Sequence, residues 1–214
     1  MRNTICEKLV WFSITPTIFR FIRKNWTDLS ISQIKKKSKH NYKKMIERTP
    51  DIGPMSQNPL RVPLAGGMIW ISIYRAMDGK MSHEQFRQMV VETTKSPMLK
   101  RACSKLNPFT NEAQRKKIEK ERISNAISNS EFNWIAETVL GRDEEEYTTL
   151  YHQCGLCALG RQENCEDLIP YMCEMDFITV EMMGGVLHRT GTLATGAKCC
   201  DFYICKKGSK WDVG

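Results

Sequence analysis

The chain has 214 residues, of which 41% are hydrophobic and 26% charged. That is enough for one domain of ordinary size with a real core, and it excludes disordered, fibrous and large two-domain classes. The formal net charge of +8 is unevenly placed. Residues 1–50 carry 12 Lys/Arg against 3 Asp/Glu, residues 51–124 carry 13 against 7, and residues 125–214 carry 7 against 14. A basic front precedes an acidic back.

The apolar run 9–22 (LVWFSITPTIFRFI) is interrupted by Pro16 and Arg20. It falls short of the ~20 residues a spanning helix needs, so neither a membrane span nor a leader is expected. Residues 1–50 read as a helical, peripheral, basic extension to a domain over 51–214. Ser30-Ile31-Ser32-Gln33 has capping-box spacing and opens a helix through the lysine-rich run 35–44. Pro50, Gly53 and Pro54 stop it. Leu64–Met77 is apolar nearly all round and predicts a buried central helix. Ser82-x-x-Gln85 opens an amphipathic helix, Ser96-Pro97 breaks it, and residues 111–126 form a polar helix. Phe132–Leu140 and Tyr147–His152 predict a hairpin. Cys154–Leu159 and Leu168–Met183 predict helices, and Val186–Leu193 and Asp201–Lys206 two further strands. Helices first and a small sheet later, with helices inserted, predict an α+β fold.

The chain holds no Walker loop, no dinucleotide fingerprint, no Gly-x-Ser-x-Gly elbow and no His-Glu-x-x-His. Nine cysteines, seven of them in the last third, predict a reducing, cytoplasmic setting with thiols available for chemistry or metal. Cys154 closes a predicted strand at a strand-to-helix junction, where helix amides lower a thiol's pKa and stabilise negative charge. Cys173 and Asp176 share one helical face, flanked by Glu174. Cys200 and Asp201 begin the last strand with side chains on opposite faces. The plain alternative is that these cysteines are small buried hydrophobes.

Cys154-Gly155-Leu156-Cys157 is a C-x-x-C without the βαβ context of a thioredoxin site. As half of a zinc site it needs two more ligands from among Cys165, Cys173, Glu174, His188 and Cys200, and no second C-x-x-C is present. Arg189, with Thr190 and Thr192 on the opposite strand face, fits a fork onto a substrate carboxylate or an internal salt bridge to Asp176 or Asp201. The lysine run lacks the interleaved aromatics of a stacking platform and reads as a solvated face, which disfavours nucleic acid as a partner.

Cys154, Leu159-Gly160, Pro170, Cys173 and Asp176, followed by Arg189-Thr190-x-Thr192-Leu193-x-x-Gly196-x-x-x-Cys200-Asp201-Phe202, resemble the L-2-amino-thiazoline-4-carboxylic acid hydrolase family. The resemblance is strongest over about residues 147–204, extends more thinly over 45–146, and leaves 1–44 uncovered. It implies an α+β fold with N-terminal helices packed on a small antiparallel sheet and helices inserted between its hairpins. It also implies hydrolysis of a carbon–nitrogen bond in a cyclic amidine carboxylate of the thiazoline type, giving a carbamoyl-cysteine type product. Water or a Cys154 thiolate would add to the amidine carbon, with Asp176 or Asp201 supplying the acid/base step beside Cys200. Arg189 would hold the substrate carboxylate, and Thr190 and Thr192 would face the tetrahedral intermediate. This reading requires no metal, leaves zinc and a homo-oligomer open, and takes a small molecule as partner. A second, fainter resemblance is to the 4-vinyl reductase type of ligand-binding module, a sensor with structural zinc.

Overall fold

The computed structural model describes Met1 and residues 5–213; residues 2–4 of the basic segment and Gly214 lie outside the described residues. The apolar run near the start becomes helix α1 (Ile5–Asn25), which buries Trp11, Ile14, Ile18, Phe19 and Ile22. Helix α2 (Ile31–Arg48) begins at Ser30, whose Oγ accepts the Gln33 amide, and buries Ile34, Tyr42, Met45 and Ile46 while its lysines face out. Both helices share one core with α3 (Arg61–Ala76), in which Leu64, Met68, Ile69, Ile71 and Ile73 are fully buried. The peripheral reading of this basic segment is therefore corrected: its charge lies on one face and its apolar stripe on another, and the stripe is core.

Buried ion pairs fasten these helices. Arg61 Nε donates to Glu7 Oε1 at 2.6 Å, joining α3 to α1. The carboxylate of Glu163, wholly buried, accepts from Arg48 of α2, at 2.8 Å from Nε, and from Arg75 of α3. Burial pushes the Glu163 carboxyl up, but the hydrogen bonds of Arg48 and Gln162 and the charges of Arg75 and Arg48 hold it below its usual value.

Helix α4 (His83–Glu92) starts with the full Ser82/Gln85 capping box. The Ser96-Pro97 break is also a start: α5 (Pro97–Ser104) takes Ser96 as its N-cap and places Pro97 in the first turn, where a missing N–H is harmless. Helix α6 (Asn111–Ile127) is the polar one.

Strands β1 (Ile135–Leu140), β2 (Glu146–Gln153), β3 (Gly185–His188) and β4 (Cys200–Lys206) form one antiparallel sheet in the order β1-β2-β4-β3. Between β2 and β3 run α7 (Gly155–Glu163), α8 (Ile169–Cys173) and α9 (Met175–Met182). The single helix expected over 168–183 is thus two helices, separated at Glu174, which is held outside by Arg87 at 2.7 Å. The strand expected to reach Leu193 stops at His188, because Thr190 and Gly191 give their amides to Asp201 instead of a strand neighbour. Helices α6 and α9 cover the sheet's inner face, onto which Tyr147, Thr149 and Tyr151 of β2 and Phe202 and Ile204 of β4 project, in the alternation a strand imposes.

Candidate active site

A cavity of ≈ 600 Å³ lies between the inner face of the sheet and helices α6 and α9. Its walls come from Tyr147, Thr149, Tyr151 and Phe202 on the sheet, Val180 on α9 and Met183 at its C-cap, and Leu60 and Leu106 on loops. Lys116, Lys117 and Lys120 stand along the α6 side. Lys116 is paired with Glu112 and Lys117 with Glu121, whereas Lys120 has no ion pair among the described residues. The Tyr147 and Tyr151 hydroxyls make no hydrogen bond among the described residues and are not sealed from water, and both residues line the cavity.

Asp176, in the first turn of α9, brings a carboxylate to this wall. Its Oδ2 accepts from Arg189 Nη1 at 2.9 Å, while Oδ1 has no partner among the described residues. The side chain is 37% exposed and belongs to the cavity wall. Burial pushes its carboxyl up to about 6, although the Arg189 charge and hydrogen bond pull the other way. That places an acid with a pKa near neutrality on a concave, largely apolar wall, the combination in which an unpaired oxygen can exchange a proton with a ligand.

Arg189 sits just past β3 and is only 8% exposed. Besides Asp176 it donates from Nη2 to the Cys173 carbonyl at 3.3 Å, satisfying the end of α8 where the chain breaks. Its guanidinium lies 4.8 Å from the Phe177 ring and 5.1 Å from that of Phe202. Phe202 in turn meets the Tyr151 ring at 5.0 Å. Of the two readings of Arg189, the geometry gives the internal salt bridge to Asp176: the fork is committed, and it grips the acid rather than reaching the cavity.

Asp201 and the threonines are also committed. The Asp201 carboxylate accepts the amides of Thr190 at 3.1 Å and Gly191 at 2.9 Å, and the Thr190 hydroxyl. Burial is the largest single influence and pushes it up, but these hydrogen bonds together outweigh it and hold the carboxyl below the usual carboxylate range. Thr192 is buried and exchanges hydrogen bonds with Thr195 in a small capping box. Asp201, Thr190 and Thr192 therefore hold the loop that carries Arg189; their side chains are not part of the cavity wall.

The thiols gather behind the acid. Cys154 is the N-cap residue of α7, and Gly155 follows because a Cβ there would fall 2.2 Å from the Phe132 carbonyl oxygen and 2.6 Å from the Trp134 ring. The Cys154 sulfur forms no full cap hydrogen bond, but the Leu156 and Cys157 amides of the first turn face it closely enough to draw its thiol down in part. A shared hydrogen with Cys157 and burial push the Cys154 thiol up, and that shared hydrogen draws Cys157 down. Cys173 is raised by burial and by the Asp176 charge. Cys200 is pushed up to about 11 by burial, against the Leu193 amide that reaches its sulfur at 3.2 Å. Cys173 and Cys200 lie within electrostatic reach of both Cys154 and the Asp176–Arg189 pair. The structure thus brings Cys154, Cys173, Cys200, Asp176 and Arg189 into one neighbourhood, but only Asp176 of them lines the cavity. The donors considered for zinc do not converge: among the described residues, three donor atoms approach one another within 4.8 Å at His188, Cys205 and Asp212, away from the C-x-x-C.

A family model for L-2-amino-thiazoline-4-carboxylic acid hydrolase matches residues 64–204. The chain belongs to that family. The match runs from α3 to β4 and takes in Asp176, Arg189 and the thiols; α1, α2 and the last residues lie outside it. The family name is that of a hydrolase. No curated protein and no solved structure matches the chain. No described helix is long and apolar enough to cross a membrane.

Sequence reasoning missed the two tyrosines and Lys120. Their signals are present: Tyr147-x-Thr149-x-Tyr151 alternates along a predicted strand and so occupies one face, and Lys117 and Lys120 are three apart on α6.

Proposed function

We propose that the chain hydrolyses a small cyclic amidine carboxylate of the thiazoline class, with Asp176 as the acid and water as the nucleophile. The observation that carries this reading is the unpaired Asp176 Oδ1, on a carboxyl raised to about 6, in the wall of the cavity. Protonation of the ring nitrogen by Asp176 makes the amidine carbon electrophilic, and Arg189 then stabilises the carboxylate left behind. Water adds to that carbon and gives one proton back to the Asp176 carboxylate. Collapse of the tetrahedral adduct then breaks the ring bond from that carbon to sulfur or to nitrogen, the leaving atom takes a proton from Asp176, and the ring opens to a carbamoyl-cysteine type product. The Tyr147 and Tyr151 hydroxyls supply donors for the adduct, and Lys120 the positive charge for the substrate carboxylate. Arg189, committed to Asp176, acts as a positioning residue.

Cys154 is not placed as the nucleophile in this reading, since burial and Cys157 keep its thiol protonated and the residue does not line the cavity. The cavity is also far roomier than a bare thiazoline acid requires; pockets of about 300–1,000 Å³ hold drug-sized ligands. With apolar walls, it suits an amidine acid bearing an apolar substituent.

The test is incubation of the purified chain with 2-amino-thiazoline-4-carboxylate and with analogues carrying an apolar group, with and without chelator. Product is followed by the mass of one added water and by thiol- and amine-specific reagents. A new thiol reports opening at sulfur, a new amine opening at the ring nitrogen. Absence of any ring-opened product across the series refutes the proposal.

A further inference from the structure

The outer face of the sheet carries a second cluster of chemically active groups, separated by the sheet from the cavity. In the β3–β4 register Val186 opposes Cys205 and His188 opposes Tyr203, so His188 and Cys205 are diagonal neighbours on one face. The chain then turns back at Gly208 and delivers Asp212 to the same point. Gly208 N–H donates to Asp212 Oδ2 at 2.8 Å, and Trp211, lying 3.4 Å from the Arg142 guanidinium and donating to Asp143 at 2.9 Å, anchors the turn. Asp212 Oδ1 has no hydrogen bond among the described residues. The nearest acid on the strand, Glu146, is occupied by Arg142 and by the Tyr203 hydroxyl, and so does not compete.

One ligand atom from each of His188, Cys205 and Asp212 lies within 4.8 Å of the other two, and the His188 Nε2 to Cys205 Sγ distance is 3.8 Å. Bonds of about 2.3 Å to sulfur and about 2.05 Å to nitrogen, opened to an angle of roughly 110–120°, put those atoms about 3.6–3.8 Å apart. We infer that His188, Cys205 and Asp212 form a binding site for a zinc-type divalent cation that ties the C-terminal turn to the sheet. A thiolate, an imidazole and a carboxylate are a borderline-soft donor set, which selects Zn²⁺ or Co²⁺ over Mg²⁺ or Ca²⁺. Binding releases the Cys205 thiol proton to solvent, and the thiolate and carboxylate then balance the two positive charges. The fourth position is left to water, since His188 and Asp212 are only half-buried. Cys205 and Asp212 lie beyond the span matched by the family model.

The experiment uses the full chain, stripped with chelator and titrated with Co²⁺ and then Zn²⁺. One equivalent of Co²⁺ is expected to give a thiolate-to-metal charge-transfer band that Zn²⁺ abolishes, with a rise in melting temperature. His188→Gln and Asp212→Asn, at half-buried positions that tolerate substitution, should weaken binding tenfold or more. Cys205→Ala should remove the band, and the double variant Cys154→Ser/Cys157→Ser should keep it. No band in the wild-type chain overturns the inference, as does a band that survives His188→Gln and disappears with the C-x-x-C. Both readouts are independent of turnover.

Discussion

Replacing Asp176 with Asn separates the stability of the acid from its chemistry. The Asp176 carboxyl rises from an ordinary 3.8 to about 6 in the folded chain. Between those values the folded chain holds a proton that the unfolded chain has released, so stability falls as pH rises from about 4 to about 6 and is level above that. A rise of that size corresponds to about 3 kcal/mol for a group sealed from water. Asp176 is 37% exposed, and solvent screening reduces the figure to roughly 1–2 kcal/mol. Asn resembles the protonated acid and keeps an oxygen for Arg189 Nη1.

Urea unfolding at pH 4 should therefore give similar stabilities for wild type and Asp176→Asn, while at pH 7.5 the variant should be the more stable by roughly 1–2 kcal/mol. The same variant should lose about 10²–10⁴ in turnover, and wild-type kcat/KM toward a neutral amidine should fall about tenfold per pH unit above about 6. A variant that turns over within tenfold of wild type, or that shows no pH-dependent gain in stability, would refute the assignment of Asp176 as a buried acid.

Three further outcomes follow from the same geometry. Glu163→Gln removes the buried anion that joins Arg48 and Arg75; because both guanidiniums reach solvent, the cost should be roughly 2–3 kcal/mol by urea unfolding. Since the Glu163 carboxyl is lowered, that difference should shrink as pH falls through and below the usual carboxylate range. Lys120→Glu should raise KM for a carboxylate substrate about fivefold with kcat little changed, the signature of lost ground-state attraction at a rim; an unchanged KM would place the substrate carboxylate elsewhere. Cys154→Ser should keep kcat within about threefold, whereas a loss of 10³ or more would make its sulfur the nucleophile.

The elements are legible where the physics is local. The capping signals at Ser30 and Ser82, the all-round apolarity of Leu64–Met77 and the alternation in 147–152 each dictate structure through neighbours a few residues away. Local patterns fail where distant groups decide. Trp11, Ile14, Ile18, Phe19 and Ile22 are core because Tyr42 and Ile46 of α2 and the helix α3 share that core with them, and no local pattern reports that. At the break in the helix expected over 168–183, the Cys173 carbonyl is satisfied by Arg189, which comes from the loop after β3. Ser96-Pro97 is ambiguous in kind, since the residues that end one helix also begin the next.

The same distinction separates the residues of the candidate site. The sequence places reactive side chains close together in the last third, and folding does gather Cys154, Cys173, Cys200, Asp176 and Arg189. Which of them meets a ligand depends on a void, and a void has no sequence pattern: it arises because α6 and α9 approach the sheet without filling the space over Tyr147 and Tyr151. Once the void is located, residue roles follow from commitment. Asp201, Thr190 and Thr192 have spent their hydrogen bonds on a loop, that loop holds Arg189, and Arg189 holds one oxygen of Asp176. The other oxygen is left uncommitted at the cavity wall. A loop variant such as Asp201→Asn should on this logic act at a distance, shifting the Asp176 limb of the pH–rate profile by loosening Arg189 rather than removing a group from the reaction.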